Sequence, residues 1–348
     1  MAVGYDFLNA RAKALKSRLV SSDRFRKWSH LGRVAAFAEA LAATTPYGRE
    51  IRQKDVSRIG PAELEAIFLG HLTEAFRSLW REAEPQVSRW LELWLAPWDL
   101  ANIERILRGW RCGLSSEAIA STWVLAGTLS AEELAGLQAA GDVTALARRL
   151  AARRGLYQRF ALALKRGGEE APARLEEKLD AVWAGYAVSE AETNGENGAT
   201  FAAFFSWEAD TRNVMSALRL AHGGGGKEVA FLPGGHRLLR KLWEEMAIRQ
   251  SLEGAFSLLE GTVFFEAVRR EVPPFEPERA LGRTEKRLRA LTLQECGKLY
   301  RRASPLGIGV VLRYMQLEAN EVENLRRIAY GLASGLPAGL IEEGLVFA

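Results

Sequence analysis

The sequence predicts an all-α fold built from three repeated lobes, and three observations carry that prediction. Apolar residues recur at helical spacing along nearly all of the 348 residues. An acid three residues before an Asn, with an Arg one or two helical turns further on, occurs three times. Asn102, Asn213 and Asn324 are evenly spaced, 213 − 102 and 324 − 213 both being 111. A fixed period of that kind is an internal repeat.

In chain order, a first helix is expected where Phe7, Ala10, Ala14 and Leu15 recur at helix spacing, with Leu19 and Val20 further on. Asp23 reads as a turn or cap before a helix through Trp28, Leu31, Val34 and Phe37. Thr44, Thr45, Pro46 and Gly48 break that run. Gly60, Pro61 and Glu63 open the next, with Pro in the first turn, where its missing N–H is no loss. Amphipathic runs cover 64–80 and 85–95. Pro97 is expected to interrupt the chain just ahead of the first motif copy, which is helical to about Arg111. Each motif helix then meets glycine: Gly113, then Gly223 to Gly226, then Gly331 and Gly335. Short apolar turns at Leu125–Gly127 and Leu232–Gly234 follow the first two stops.

Only residues 228–232 could be extended. Residues 189–198 carry three acids and no large apolar side chain, and read as a solvated loop; 165–170 reads as a shorter one. Boundaries near 125 and 235 give lobes at 1–125, 126–235 and 236–348. No Pro/Ser-rich linker separates them, so they are expected to be three lobes of one body.

Composition excludes several classes. Hydrophobic residues make up 48% and charged residues 26%, the balance of an ordinary globular protein. A formal charge of +4 is too mild to mark a nucleic-acid footprint. The pairs Arg148–Arg149 and Arg153–Arg154 read as a solvated helix face. The two cysteines, Cys112 and Cys296, form no CxxC, and read as free thiols of a reducing compartment. The N-terminus is charged too early for a signal peptide, and no window approaches the roughly 20 apolar residues of a spanning helix. The expectation is a cytosolic chain, or one held at a membrane through something else.

No catalytic, cofactor or metal site is expected. The run from His222 to Glu228 has Ala221 where a phosphate loop needs Gly, and Glu228 where it needs Ser or Thr. Gly307 and Gly309 lack the third glycine of a dinucleotide loop. Ser304 and Pro305 read instead as an N-cap and first turn. His30, His71, His222 and His236 are scattered and form no metal cluster. Trp80, Trp90, Trp94, Trp98 and Trp110 crowd one stretch. Trp90 and Trp94 share a helix face with leucines, which favours core packing over base stacking.

The repeated motif remains. Its copies comprise Asp99, Asn102, Arg105 and Arg108; Glu208, Asp210, Asn213 and Arg219; and Glu318, Glu321, Asn324, Arg326 and Arg327. Positions i, i+3 and i+6 form one drifting stripe on a helix. Asn and Asp are poor in helix interiors because they compete for backbone hydrogen bonds. Their retention among apolar residues implies a tertiary need: a structural clasp within each lobe. A sharper reading has some of these side chains reaching a partner across a threefold centre.

With these residues in view, the chain resembles the C subunit of the archaeal and bacterial A/V-type ATPases, known as the d subunit in the eukaryotic V-ATPase. Tyr5, Asn9, Ala10 and Arg11 are similar to the family's Tyr-x-x-x-Asn-Ala-Arg opening. Trp207 to Val214, with Arg219, is like its central motif. Pro305 to Tyr314, followed by Glu318, Glu321, Asn324, Leu325 and Arg326, is like its C-terminal signature. Ser216 departs where the first copy has Arg105, and Tyr330 where the others have Arg108 and Arg219. The resemblance implies a pseudo-threefold, all-helical funnel with a central cavity on the cytoplasmic face of a proteolipid ring. It would receive the central-stalk subunits and act as a non-catalytic rotor socket, coupling torque to proton or sodium transport. It implies neither a nucleic-acid partner nor a small-molecule substrate. The competing readings are an all-helical scaffold binding another protein in a concave face, and a nucleic-acid binder.

Overall fold

The computed structural model describes residues 4–168, 170–193, 195–223, 231–268 and 277–347. Among them the chain is helical, with no strand. Chain order begins with α1 (Tyr5–Lys16), α2 (Ser22–Ser29), α3 (Val34–Thr44), α4 (Gly48–Ile51), α5 (Pro61–Glu82) and α6 (Pro85–Arg111). The middle holds α7 (Ser116–Ala120), α8 (Ala131–Gln138), α9 (Val143–Ala151), α10 (Leu156–Gly167), α11 (Pro172–Glu192) and α12 (Gly195–His222). The last third holds α13 (Arg240–Ala247), α14 (Leu252–Ser257), α15 (Val263–Val268), α16 (Pro277–Arg302), α17 (Gly309–Ala333) and α18 (Ala338–Gly344).

Local chemistry sets many of these ends. Pro stands in the first turn of α5 and α11. Ser130 and Glu133 form a reciprocal capping box on α8, and Asp142 caps α9. The motif helices α6 and α17 stop alike: Gly113 and Gly335 take positive φ, and Leu114 and Leu336 donate back to Gly109 and Gly331.

The chain divides into two compact units. Residues 1–87 and 289–348 form one, and residues 88–288 the other, with both boundaries inside helices, α6 and α16. In the first unit α17 packs against α1 and α5. Leu64, Phe68, Leu72 and Phe76 of α5 bury one continuous stripe. In the second unit α10 packs on α9 and α11, and α11 packs on α12. Trp90 lies buried against Phe201 (centroids 5.1 Å), which stacks on Phe205, so that tryptophan is core. Cys112 is exposed and Cys296 buried, both as free thiols.

Several local expectations are corrected. Pro97 does not interrupt the chain; it lies inside α6. An interior proline leaves the carbonyl four residues back without its N–H partner. Here that carbonyl, Leu93, accepts the Trp183 indole N–H at 2.9 Å. The described residues of 189–198 are mostly helical and not a loop: α11 runs to Glu192 and α12 starts at Gly195, and the small residues Ala191 and Gly198 are buried. The run from Asp23 to Phe37 is two helices, parted by Gly32 at positive φ and an Arg33-to-Leu31 turn bond.

Ser304 and Pro305 do not open α17, which starts at Gly309. The Asn9 amide donates to the carbonyls of Pro305 and Gly307 and holds that stretch as a turn. Phe7 is 63% exposed, because α1 buries Tyr5, Leu8, Asn9 and Ala12 instead. Gly331 lies within α17, where Ile341 packs against its bare Cα. The phosphate-loop comparison around Gly224–Glu228, and most of the 228–232 candidate, fall outside the described residues.

Candidate functional site

The three motif asparagines make the same bond pair. Each projects from a long helix, and its side-chain amide pairs with one backbone residue of a later, non-helical segment. Asn102 donates to the Val124 carbonyl (2.8 Å) and accepts from the Val124 N–H (3.0 Å). Asn213 does so with Leu232 (2.9 and 2.8 Å), and Asn324 with Val346 (2.7 and 2.9 Å). An amide side chain presents the same donor and acceptor as a peptide group, so it satisfies both polar atoms of a segment that has no helix or sheet of its own. All three asparagines are buried.

The acid one turn earlier anchors the chain just ahead of a helix. Asp99 accepts from the N–H groups of Thr128 (2.7 Å) and Leu129 (3.0 Å) and from the Tyr157 hydroxyl (2.6 Å). Asp210 accepts from the N–H groups of His236, Arg237 and Leu238, each at 3.1 Å, and from the Arg237 guanidinium. Glu321 accepts from the Val20 N–H (2.6 Å) and the Tyr47 hydroxyl (2.9 Å). Leu129, Leu238 and Val20 each stand two residues before a helix begins: α8, α13 and α2. The third clasp therefore holds the start of the chain, within the unit that contains both ends.

Close approach makes glycine necessary beside two of these acids. A Cβ on Gly127 would overlap Asp99 Oδ1, and one on Gly235 would overlap Asp210 Oδ1. Neither glycine has positive φ, so the requirement is steric.

The outer motif positions form a second set of links. Arg108 holds Glu176 through two bonds (2.6 and 2.5 Å), the bidentate geometry of a guanidinium on a carboxylate. Arg219 holds Glu285 at 3.0 Å. Tyr330, where an Arg would continue the pattern, donates its hydroxyl to Glu65 at 2.5 Å, and Arg326 reaches the same carboxylate at 2.6 Å. Glu65, Glu176 and Glu285 sit on α5, α11 and α16. They form a repeat of their own outside the acid–Asn–Arg motif, although their spacing of 111 and 109 residues is readable in the sequence.

The remaining predicted residues divide. Arg105 donates to Asn102 Oδ1 (2.9 Å). Its counterpart Ser216 accepts the Trp243 indole N–H (2.9 Å). Arg327 bonds the Gly344 carbonyl and Glu323. Glu208 does not join the clasp; it is half-exposed and pairs with Arg212 at 3.7 Å.

The electrostatics differ between copies. Burial raises the Asp99 carboxyl, while bonds from Tyr157, Thr128 and Leu129 oppose that rise. In the third copy two carboxyls share one buried face of α17. Glu318, bonded by the Tyr314 hydroxyl at 3.1 Å, is pushed up to about 8 by burial and by Glu321. Burial pushes Glu321 up to about 7. Among the described residues neither has a cation within ion-pair distance, so burial without a counter-charge favours the protonated form of each. Arg237 beside Asp210 (3.3 Å) supplies the charge partner that this pair lacks.

The three asparagines, with Asp99, Asp210 and Glu321, each bond the backbone of a distant segment, and side chains such as Tyr157, Arg237 and Tyr47 complete the acids' shells, which is the chemistry of fastening. Among the described residues no group of three His, Cys, Asp or Glu side chains could hold a metal ion, and no helix is long and apolar enough to cross a membrane.

Comparison with known proteins gives a consistent result. Residues 8–344 match the family model described as ATP synthase (C/AC39) subunit. A protein of Archaeoglobus fulgidus, named as the C subunit of an A-type ATP synthase, is 27% identical over 361 residues, covering 98% of this chain and 95% of the relative. One from Thermus thermophilus, named as the C subunit of a V-type ATP synthase, is 27% identical over 99% of both chains. One from Methanocaldococcus jannaschii, named as the C subunit of an A-type ATP synthase, is 22% identical over 95% of this chain and 84% of its own length.

Proposed function

Because the chain belongs to the ATP synthase (C/AC39) subunit family, we propose that it is the non-catalytic C subunit of an A/V-type ATPase rotor. It joins the central stalk to the membrane proteolipid ring on the cytoplasmic face and carries torque between them, so that ATP chemistry and ion transport stay coupled. Its three lobes, 1–125, 126–235 and 236–348, surround a pseudo-threefold axis as a funnel whose cavity receives the shaft. Proton or sodium ion is a matter for the ring.

The observation that carries this reading is the order of the three outer links. The motif helix of the first copy, α6, holds Glu176 on a helix of the second. That of the second, α12, holds Glu285 on a helix of the third. That of the third, α17, holds Glu65 on a helix of the first. One pattern of link, repeated from each motif helix to a helix of another copy, supports a pseudo-threefold body. The buried clasps beneath them add positional stiffness.

The test is reconstitution. Complex lacking this chain is expected to keep ATP hydrolysis in the detached head but to lose ion pumping, with pumping restored when the chain is added back. Particle images of the isolated chain are expected to show three lobes around a cavity. A chain that restores no pumping, and binds neither stalk nor ring, would sink the proposal.

A further inference from the structure

Beyond that role, we infer that the first unit carries a binding site for a phosphate-bearing anion, in a basin formed by the chain between α1 and α2, the C-terminal end of α3, and the residue that follows α4. The basin is open and about 680 Å³ in volume, and three exposed arginines line it: Arg18, Arg24 and Arg52. No acid stands among the lining residues; of the hydroxyls there, Ser17, Thr44 and Thr45 donate to carbonyls of their own helices, and Ser21 is left to donate into the basin.

The arginines come from separate stretches of chain, and two are held in place. Arg24 donates to the Thr44 carbonyl (3.2 Å), and Arg52 donates to the Ala42 carbonyl. Those carbonyls end α3, so a structural purpose accounts for one N–H of each guanidinium. A guanidinium has five N–H donors, and the rest of each fork remains available to the basin. Like charges gathered on one surface repel unless a counter-charge joins them; of the nearby carboxylates, Glu321 is spent on Val20 and Tyr47 and Glu50 on His71, while Asp23, exposed in the first turn of α2, pairs with Arg26 at 3.4 Å.

A further source of positive potential is the start of α2. This eight-residue helix has Ser21 at its N-cap, and the Ser21 side chain makes no capping bond, so the first-turn N–H groups add their partial charge without a side-chain acceptor. Planar forks, the Ser21 hydroxyl and a helix start together match the several oxygens of a phosphate better than a single carboxylate. The phosphate could arrive free or as an acidic lipid headgroup. The chemistry at the basin is shared.

The experiment uses the full chain, with inorganic pyrophosphate as one probe and phosphatidylcholine vesicles, with or without phosphatidylglycerol, as the other. Calorimetric titration is expected to show saturable pyrophosphate binding that weakens with added salt, or vesicle sedimentation to show recruitment that needs phosphatidylglycerol. Arg18 makes none of the α3 anchoring bonds, so Arg18→Glu is expected to keep the helical circular dichroism while weakening binding roughly tenfold or more. Arg52→Gln should weaken it as well. Pyrophosphate binding without recruitment identifies a free anion, and recruitment without pyrophosphate binding identifies a headgroup. Absence of both would overturn the site, and so would equal binding by wild type and Arg18→Glu.

Discussion

The Tyr330 hydroxyl sits 2.5 Å from the Glu65 carboxylate, at the position from which Arg108 and Arg219 hold Glu176 and Glu285. The departure from Arg is thus a change of donor and not the loss of a link, with Arg326 supplying the charge that Tyr lacks. Tyr330→Phe is expected to cost no more than about 1 kcal/mol, the range of an exposed pair. Tyr330→Arg should keep the link. Urea denaturation checks both, and a double-mutant cycle with Glu65→Gln isolates the coupling.

Asn213→Ala strands the buried N–H and carbonyl of Leu232 together. Each unmade bond of that kind costs about 1–3 kcal/mol, so a loss of roughly 2–4 kcal/mol is expected from the denaturation midpoint. In the assembled machine the variant should lower coupling efficiency without abolishing hydrolysis by the head. Full stability and full coupling would refute the clasp in the middle copy.

Glycine substitutions separate steric need from ordinary propensity. Gly127→Ala and Gly235→Ala push a methyl into Asp99 and Asp210 and are expected to destabilise by about 1–3 kcal/mol, the usual cost of overpacking. Gly70, inside α5 with open space around it, should behave oppositely, Gly70→Ala gaining about 0.5–1 kcal/mol. Thermal melts of the three variants suffice.

Stability should fall on the alkaline side. Glu318 (about 8), Glu321 (about 7) and Glu104 (about 7) all lie above the ordinary value of 4.5, chiefly through burial. The folded state therefore holds protons that the unfolded state has released. Their contribution is complete below about pH 4.5 and is lost as pH rises through 7 to 8. Melting temperature is expected to decline across that window. Glu318→Gln should flatten the decline, because a neutral amide has no proton to lose.

The sequence made the architecture legible where one kind of signal repeats. The helices, the motif at 111-residue spacing and the glycine stops after Gly113 and Gly335 follow from periodicity and turn chemistry, which are local. What the motif grips was not legible. The partners of Asn102, Asn213 and Asn324 are Val124, Leu232 and Val346, and a clasp to bare backbone leaves no side-chain signature at the other end. Pro97 misleads for the same reason, since the Trp183 indole that rescues its helix bonds across 90 residues of chain. The buried face of α1 is not the one apolarity suggests, because Phe7 is more apolar than Asn9, yet Asn9 has carbonyls near Pro305 to satisfy.

By itself, then, the sequence determined an all-helical chain with three copies of one polar motif, because helical period and repeat period are properties of residue order. Tertiary structure alone decided that Glu321 reaches Val20 and that Tyr330 reaches Glu65, so that the last copy fastens onto the beginning of the chain. Those bonds span 301 and 265 residues. Only folding, which sets the desolvation of a buried carboxylate against the N–H and O–H groups brought to it, selects them.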